Sequence, residues 1–209
     1  MRTARIIVMS AVIFFGAIQI GFTAESKTTK AIHMEKATFG GGCFWCVEAL
    51  FERFTGVKSV VSGYAGGKSP NPTYKQICTG TTGHAEVIQI EFDPMKIKYS
   101  QLLDIFWEAH DPTTLNRQGA DEGTQYRSVI FFHDEEQKTA AIASKKSASK
   151  LFAKPIVTEV SAMPKFFVAE DYHQDYFRKN PDAPYCYYVI SPKLMKLEKK
   201  YQGKPPGSL

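Results

Sequence analysis

The chain has 209 residues, 44% hydrophobic and 22% charged, enough for one well-buried domain or at most two small ones. Its net charge of +5 is too mild to argue for nucleic acid, and no basic run interleaves with aromatics. Four cysteines, Cys43, Cys46, Cys78 and Cys186, are too few for a disulfide scaffold in a chain this long.

Residues 1–24 read as a signal peptide. Arg2 and Arg5 form the positive start, Ile6 to Ile20 the apolar run, and Ala24 the cut before Glu25. Phe22 is large for its place before the cut. An uncleaved anchor is the alternative, although the run is short for a membrane span. Export places the protein in the periplasm or outside the cell, where thiols tend to pair. The mature chain in a periplasmic fraction should begin near Glu25 by mass spectrometry; an intact Met1 or a membrane-bound form would support the anchor. Residues 25–36 are polar and read as a linker, leaving 37–209 as the folded domain.

Ala37 to Gly42 has the character of a short strand ending in a glycine turn. A helix follows from about Trp45, because Val47, Leu50, Phe51 and Phe54 recur at helical spacing. Val57 to Tyr64 reads as a strand and Lys68 to Tyr74 as a loop. His84 to Phe92 alternates as a strand, closed by Asp93-Pro94. Tyr99, Leu102, Leu103, Phe106 and Trp107 mark a second amphipathic helix. Asp111 to Gln125 is a long polar loop, of a length that often carries function. A strand at Arg127 to Phe132, a helix at Glu135 to Leu151, a strand at Ile156 to Val160 and a short helix at Glu170 to Lys179 follow. The lysines 193, 196, 199 and 200 suggest a solvated helix face. Hairpin-like and crossover spacings together point to an α+β fold, a two-layer α/β sandwich with a central mixed sheet.

Two places carry chemistry. Gly40 to Cys46 reads Gly-Gly-Gly-Cys-Phe-Trp-Cys and puts Cys43 at a helix N-terminus, where a thiol pKa is expected to fall. The glycines would let another molecule approach the sulfur, and Phe44 and Trp45 form an apolar wall. The competing reading is a buried thiol after a flexible turn. The second place is Glu86, which shares a strand face with Ile88, Ile90 and Phe92. A carboxyl at an apolar edge has a raised pKa and suits a general acid; an outward or lysine-paired Glu86 is the alternative. Cys78 reads as a small buried hydrophobe. His84, His110, His133 and His173 lack ligand spacing, so no metal is expected.

Further motifs join these: Ser-Gly-Tyr-Ala-Gly-Gly at 62–67, Asn-Pro-Thr-Tyr at 71–74 and Gly-His-Ala-Glu-Val at 83–87. His-Asp-Pro-Thr-Thr-Leu-Asn-Arg-Gln-Gly at 110–119 and Gly-Thr-Gln-Tyr-Arg-Ser at 123–128 complete the set. With Gly-Cys-Phe-Trp-Cys, and from about Ala37 to Pro192, the chain resembles the peptide methionine sulfoxide reductase A family. The resemblance implies that Cys43 attacks the sulfur of a methionine S-sulfoxide, free or in proteins. Phe44 and Trp45 would hold the S-methyl group. Glu86 would protonate the oxygen with help from Tyr74 and Tyr126, and Asp121 would shape the site. It also implies a Cys43 sulfenic acid, an intramolecular disulfide and a thioredoxin-like dithiol reductant, with no cofactor. For an exported enzyme the donor would be periplasmic. Cys186 is the preferred resolving thiol, although its surroundings lack the glycines of a mobile tail. Cys46, three residues after Cys43, is the alternative, and the two could relay. A monomer acting without nucleic acid or metal is expected. Two rivals remain open: a thioredoxin-type oxidoreductase, against which Trp45 lies between the cysteines rather than before them, and an exported peptide-binding module.

Overall fold

The burial pattern of the chain is satisfied by one six-stranded sheet covered by a layer of helices. The computed structural model describes residues 33–202 and 204–206; the expected signal peptide and most of the expected linker lie outside them. The elements run β1 (Glu35–Gly41), α1 (Phe44–Phe51), β2 (Val57–Ala65), α2 (Tyr74–Ile77), β3 (Ala85–Phe92) and α3 (Tyr99–Ala109). They continue with β4 (Arg117–Gln118), β5 (Asp121–Glu122), β6 (Ser128–Phe132), α4 (Glu135–Ala148), β7 (Glu159–Ala162) and β8 (Phe167–Val168). Last come α5 (Tyr176–Lys179) and α6 (Ser191–Tyr201), the latter preceded by a wide helical turn at Cys186–Ile190.

The sheet order is β7-β6-β1-β3-β2-β8. Only β6 and β7 pair in parallel, and α4 is the crossover between them. Strand β3 is central, so both of its faces are buried. Glu86, Ile88, Ile90 and Phe92 point to the helical side, while Ala85 and Val87 join a smaller cluster with Val129 and Phe131 on the other. Helices α1, α3, α4 and α6 all contribute side chains to the larger core, as the two-layer mixed-sheet fold requires. Its centre is aromatic: Phe39 on β1 lies 5.7 Å from the ring of Phe51 and 5.0 Å from that of Phe106. Each such side chain contributes about 1.5–3 kcal/mol on burial. This packing is what makes α1, only two turns long, stable where it is.

Several boundaries differ from expectation. Strand β1 begins at Glu35, two residues before the expected start of the folded domain, because Glu35 and Lys36 continue the ladder opposite Phe92 and Glu91. The long polar loop folds into a hairpin, β4 on β5. The expected strand at 156–160 lies at Glu159–Ala162, since the Val157 amide is bonded to the Pro112 carbonyl instead. The expected 170–179 helix is split by Asp175, whose left-handed φ of 54° leaves one turn before it and α5 after it. Cys78 is exposed rather than buried, because the single turn of α2 turns Ile77 inward and leaves the next residue outside. Of the C-terminal lysines, Lys196 and Lys199 are solvated, but Lys200 is paired with Glu108 at 2.6 Å and Lys193 is half-buried.

Candidate active site

Cys43 is the residue immediately before α1, and its carbonyl accepts the first bonds of the helix from Cys46 and Val47. The turn that delivers it is tight. Gly42 has φ +95°, and a Cβ there would come within 2.6 Å of the Gln118 side chain. The glycine is needed because another part of this chain closes over it, not because it leaves room for a visitor.

The first free amide of α1, that of Phe44, donates to Glu86 Oε2 at 3.1 Å. Glu86 is 2% exposed, and burial pushes its pKa up to about 8, the Phe44 amide opposing the rise. The carboxyl is therefore mostly protonated at neutral pH, as the strand-face reading expected.

The expectation for Cys43 itself is corrected. Its thiol pKa is raised, first by burial, then by a hydrogen bond with Cys46 and the charge of Glu86. Helix polarity alone would lower it, but the first amide is committed to Glu86 and the sulfur is only 8% exposed. The sulfur pushed down is Cys46, to about 7. Its hydrogen bond with Cys43 is the main cause, working against burial and aided by Lys193. The two thiols thus titrate as one interacting pair rather than singly.

The aromatic wall is built across the chain. The Trp45 indole is stacked on Tyr176 at 3.6 Å and 6°, and its Nε1–H donates to His173 Nδ1 at 3.0 Å. The His173 ring also lies 5.0 Å from Phe44 and 4.3 Å from Tyr74. Tyr74 opens α2, and its amide donates to Glu170, which also accepts the Tyr64 hydroxyl. Tyr126 closes the short turn Thr124–Tyr126. Burial raises the pKa of both Tyr74 and Tyr126, and the charge of Glu86 adds to it, so their hydroxyls stay protonated. Asp121, on β5, accepts the Tyr185 hydroxyl at 2.6 Å, and that oxygen also lies 3.6 Å from Cys46 Sγ.

The structure therefore gathers Cys43, Phe44, Trp45, Cys46, Glu86, Tyr74, Tyr126 and Asp121 around one place. Cys186 is fully buried at the start of its wide turn, and burial and the neighbouring Cys46 raise its pKa. All four cysteines are free thiols. Sequence reasoning missed Tyr185, His173, Tyr176 and Glu170. Only Tyr185 carried a signal, its place beside Cys186. Among the described residues no group of three or more His, Cys, Asp or Glu is arranged to hold a metal ion.

Neighbouring thiols at a helix start, a buried carboxyl and an aromatic wall define a thiol-based redox enzyme. Comparison with known proteins makes that class specific. Residues 35–205 match the family model for peptide methionine sulfoxide reductase, and the chain belongs to that family. It is 55% identical over 176 residues to the peptide methionine sulfoxide reductase MsrA of Leptospira borgpetersenii, covering 84% of this chain and all of that one. Among solved structures, reduced Mxr1 of Saccharomyces cerevisiae is 35% identical with a TM-score of 0.70, over 74% of this chain and 90% of that one. Mxr1 in complex with Trx2 is 25% identical with a TM-score of 0.52, over 72% and 91%.

Proposed function

We propose that this enzyme reduces methionine S-sulfoxide, free or in oxidised proteins, to methionine, with Cys43 as nucleophile and Glu86 as general acid. The observation that carries the reading is the buried Glu86, which accepts the amide of Phe44, the residue next to Cys43, and whose pKa burial raises. Glu86 lends its proton to the sulfoxide oxygen, which makes the sulfur electrophilic. The Cys43 sulfur bonds to it; oxygen then passes to Cys43 as both that new S–S bond and the sulfoxide S–O bond break, leaving a Cys43 sulfenic acid and free methionine. The thiol proton of Cys43 replaces the one Glu86 lent. Tyr74 and Tyr126 serve as hydrogen-bond donors to the oxygen, and Phe44 and Trp45 receive the methyl group. Asp121 acts through Tyr185, holding its hydroxyl against the sulfurs.

The site supports Cys46 ahead of Cys186 as the first resolving thiol. Cys46 lies three residues from Cys43, on the first turn of α1, and its thiol is pushed down to about 7. Its attack on the sulfenic sulfur expels water and forms a Cys43–Cys46 disulfide. Cys186, whose charged neighbour is Cys46, then exchanges into that bond and frees Cys43. A thioredoxin-like dithiol reduces the second disulfide. The capture of yeast Mxr1 with Trx2 supports a protein donor of this kind, and export as proposed from residues 1–24 would make it periplasmic. Intact-mass analysis after one equivalent of methionine sulfoxide, without reductant, separates the orders. Cys186→Ser should still form a Cys43–Cys46 bridge at the normal rate, and Cys46→Ser should accumulate a sulfenic acid trapped by dimedone. The reverse pattern would make Cys186 the direct resolver.

The activity is tested by dithiothreitol consumption with separated sulfoxide epimers. Oxidation should require methionine sulfoxide and strongly favour the S epimer. Reduction of insulin disulfides without methionine sulfoxide would instead support a thioredoxin-type enzyme, and neither activity a binding module.

A further inference from the structure

His110, at the end of α3, is a buried histidine that the proposed chemistry does not use. Its hydrogen bonds leave one arrangement of protons. Nδ1 lies 2.8 Å from the Phe106 carbonyl, which can only accept, so Nδ1 carries the proton. Nε2 is then bare, and the Ser128 hydroxyl at 2.7 Å must donate to it. The Ser128 oxygen in turn accepts from the Thr158 hydroxyl, also at 2.7 Å. Burial holds the imidazole neutral, its pKa pushed down to about 4. The chain of bonds joins α3, β6 and the entry to β7. Lys145 of α4 closes it on the Thr158 carbonyl at 2.6 Å.

This network sits under the turn that delivers Cys43. Ser128 is the cross-strand partner of Gly41. The His110 ring fills the space beside that glycine, where a Cβ would come 3.3 Å from its Cγ. The next residue, Asp111, grips Gln118 through its backbone: its amide donates to Gln118 Oε1 at 3.1 Å, and its carbonyl accepts from Gln118 Nε2 at 3.2 Å. Gln118 is the side chain that closes over Gly42. His110 and, through Asp111, Gln118 thus bracket Gly41 and Gly42, the two glycines immediately before Cys43.

We propose that His110, oriented by Ser128 and Thr158, is a positioning residue that holds the Gly41–Gly42 turn and so sets the Cys43 sulfur for attack. The proposal rests on the reading of Cys43 as nucleophile. His110 takes no proton in the reaction; it acts through the backbone. A nucleophile set loose by about 1 Å costs up to roughly 10²-fold in rate.

The test uses the full reduced chain in a single turnover without reductant. Ser128→Ala should lower the rate constant for methionine formation roughly tenfold, keep the yield at one equivalent per enzyme and leave KM within about twofold. Ser128→Thr, which restores the hydroxyl, should recover the rate. Gln118→Ala, at a half-buried and more tolerant position, should show the same signature more weakly and covers the case in which Ser128→Ala fails to fold. Alkylation of Cys43 by iodoacetamide, followed by mass, should become faster in Ser128→Ala and Gln118→Ala as the bracket loosens. That readout is independent of which residue performs turnover, so failure of the Cys43 reading and failure of the bracket are distinguishable. A merely structural role would lower the yield or the melting temperature and leave the rate constant alone. Folded Ser128→Ala and Gln118→Ala variants with wild-type rate constants and unchanged Cys43 alkylation would overturn the proposal.

Discussion

Cys43→Ser is expected to abolish methionine formation, by at least roughly 10³-fold, in a single turnover without reductant. The reason lies in the atom that accepts oxygen. Sulfur gains a bond to oxygen and later exchanges it for a bond to another sulfur; a serine hydroxyl does neither. The substitution is nearly isosteric at a site that is 8% exposed. Its cost to the fold should therefore stay within about 1–2 kcal/mol. The informative comparison is with the other thiols. Cys46→Ser and Cys186→Ser should each still release one equivalent of methionine, because they act after oxygen has been transferred. A full equivalent from purified, folded Cys43→Ser would place the nucleophile elsewhere.

How much of this was legible in the sequence depends on how local the information is. Glu86 was readable because strand period alone puts it on the face of Ile88, Ile90 and Phe92, and that face is the core. The helix after Cys43 was readable from the spacing of Val47, Leu50 and Phe51, all buried. The acidity of Cys43 was misread because it depends first on how deeply the fold buries the sulfur, and then on its partners Cys46 and Glu86. The Phe44 N–H turns to Glu86, 42 residues away, and no local pattern encodes that choice. The same holds for Trp45. Its ring is fixed by His173, 128 residues on, and by Tyr176, which is presented by a short helix beginning after the left-handed Asp175. The glycine run was visible, but its purpose was not. The groups that need those glycines are Gln118, in the long polar loop, and His110, at the end of α3, and neither was tied to them by any local pattern. The roles of Tyr74, Tyr126 and Asp121 came from resemblance alone, since nothing in their own neighbourhood separates them from loop and strand-edge residues.

Glu86→Gln is expected to slow sulfoxide reduction by roughly 10²–10⁴-fold, the range for a lost general acid. It should also change the pH profile and the stability in opposite senses. In the wild type the acid must be protonated, so kcat/KM should fall as pH rises through about 8, where burial sets Glu86. That falling limb should vanish in the glutamine variant. For stability, the folded-state pKa of about 8 stands above the ordinary 4.5, so folding favours the protonated form. This contribution is complete below about 4.5 and is lost as pH rises through 8. At pH 9 the wild type carries a buried charge that glutamine does not, while the amide oxygen still accepts the Phe44 N–H. The variant should therefore gain on the wild type between pH 6 and pH 9, by at most about 3 kcal/mol, since only the two units from pH 6 to the folded pKa of about 8 count at ~1.4 kcal/mol per unit. Urea unfolding of both proteins at the two pH values, beside the kinetic profiles, reads both effects. Parallel stability curves together with an unshifted falling limb would mean that Glu86 is ionised in the resting enzyme, and the acid would have to be sought among the tyrosines.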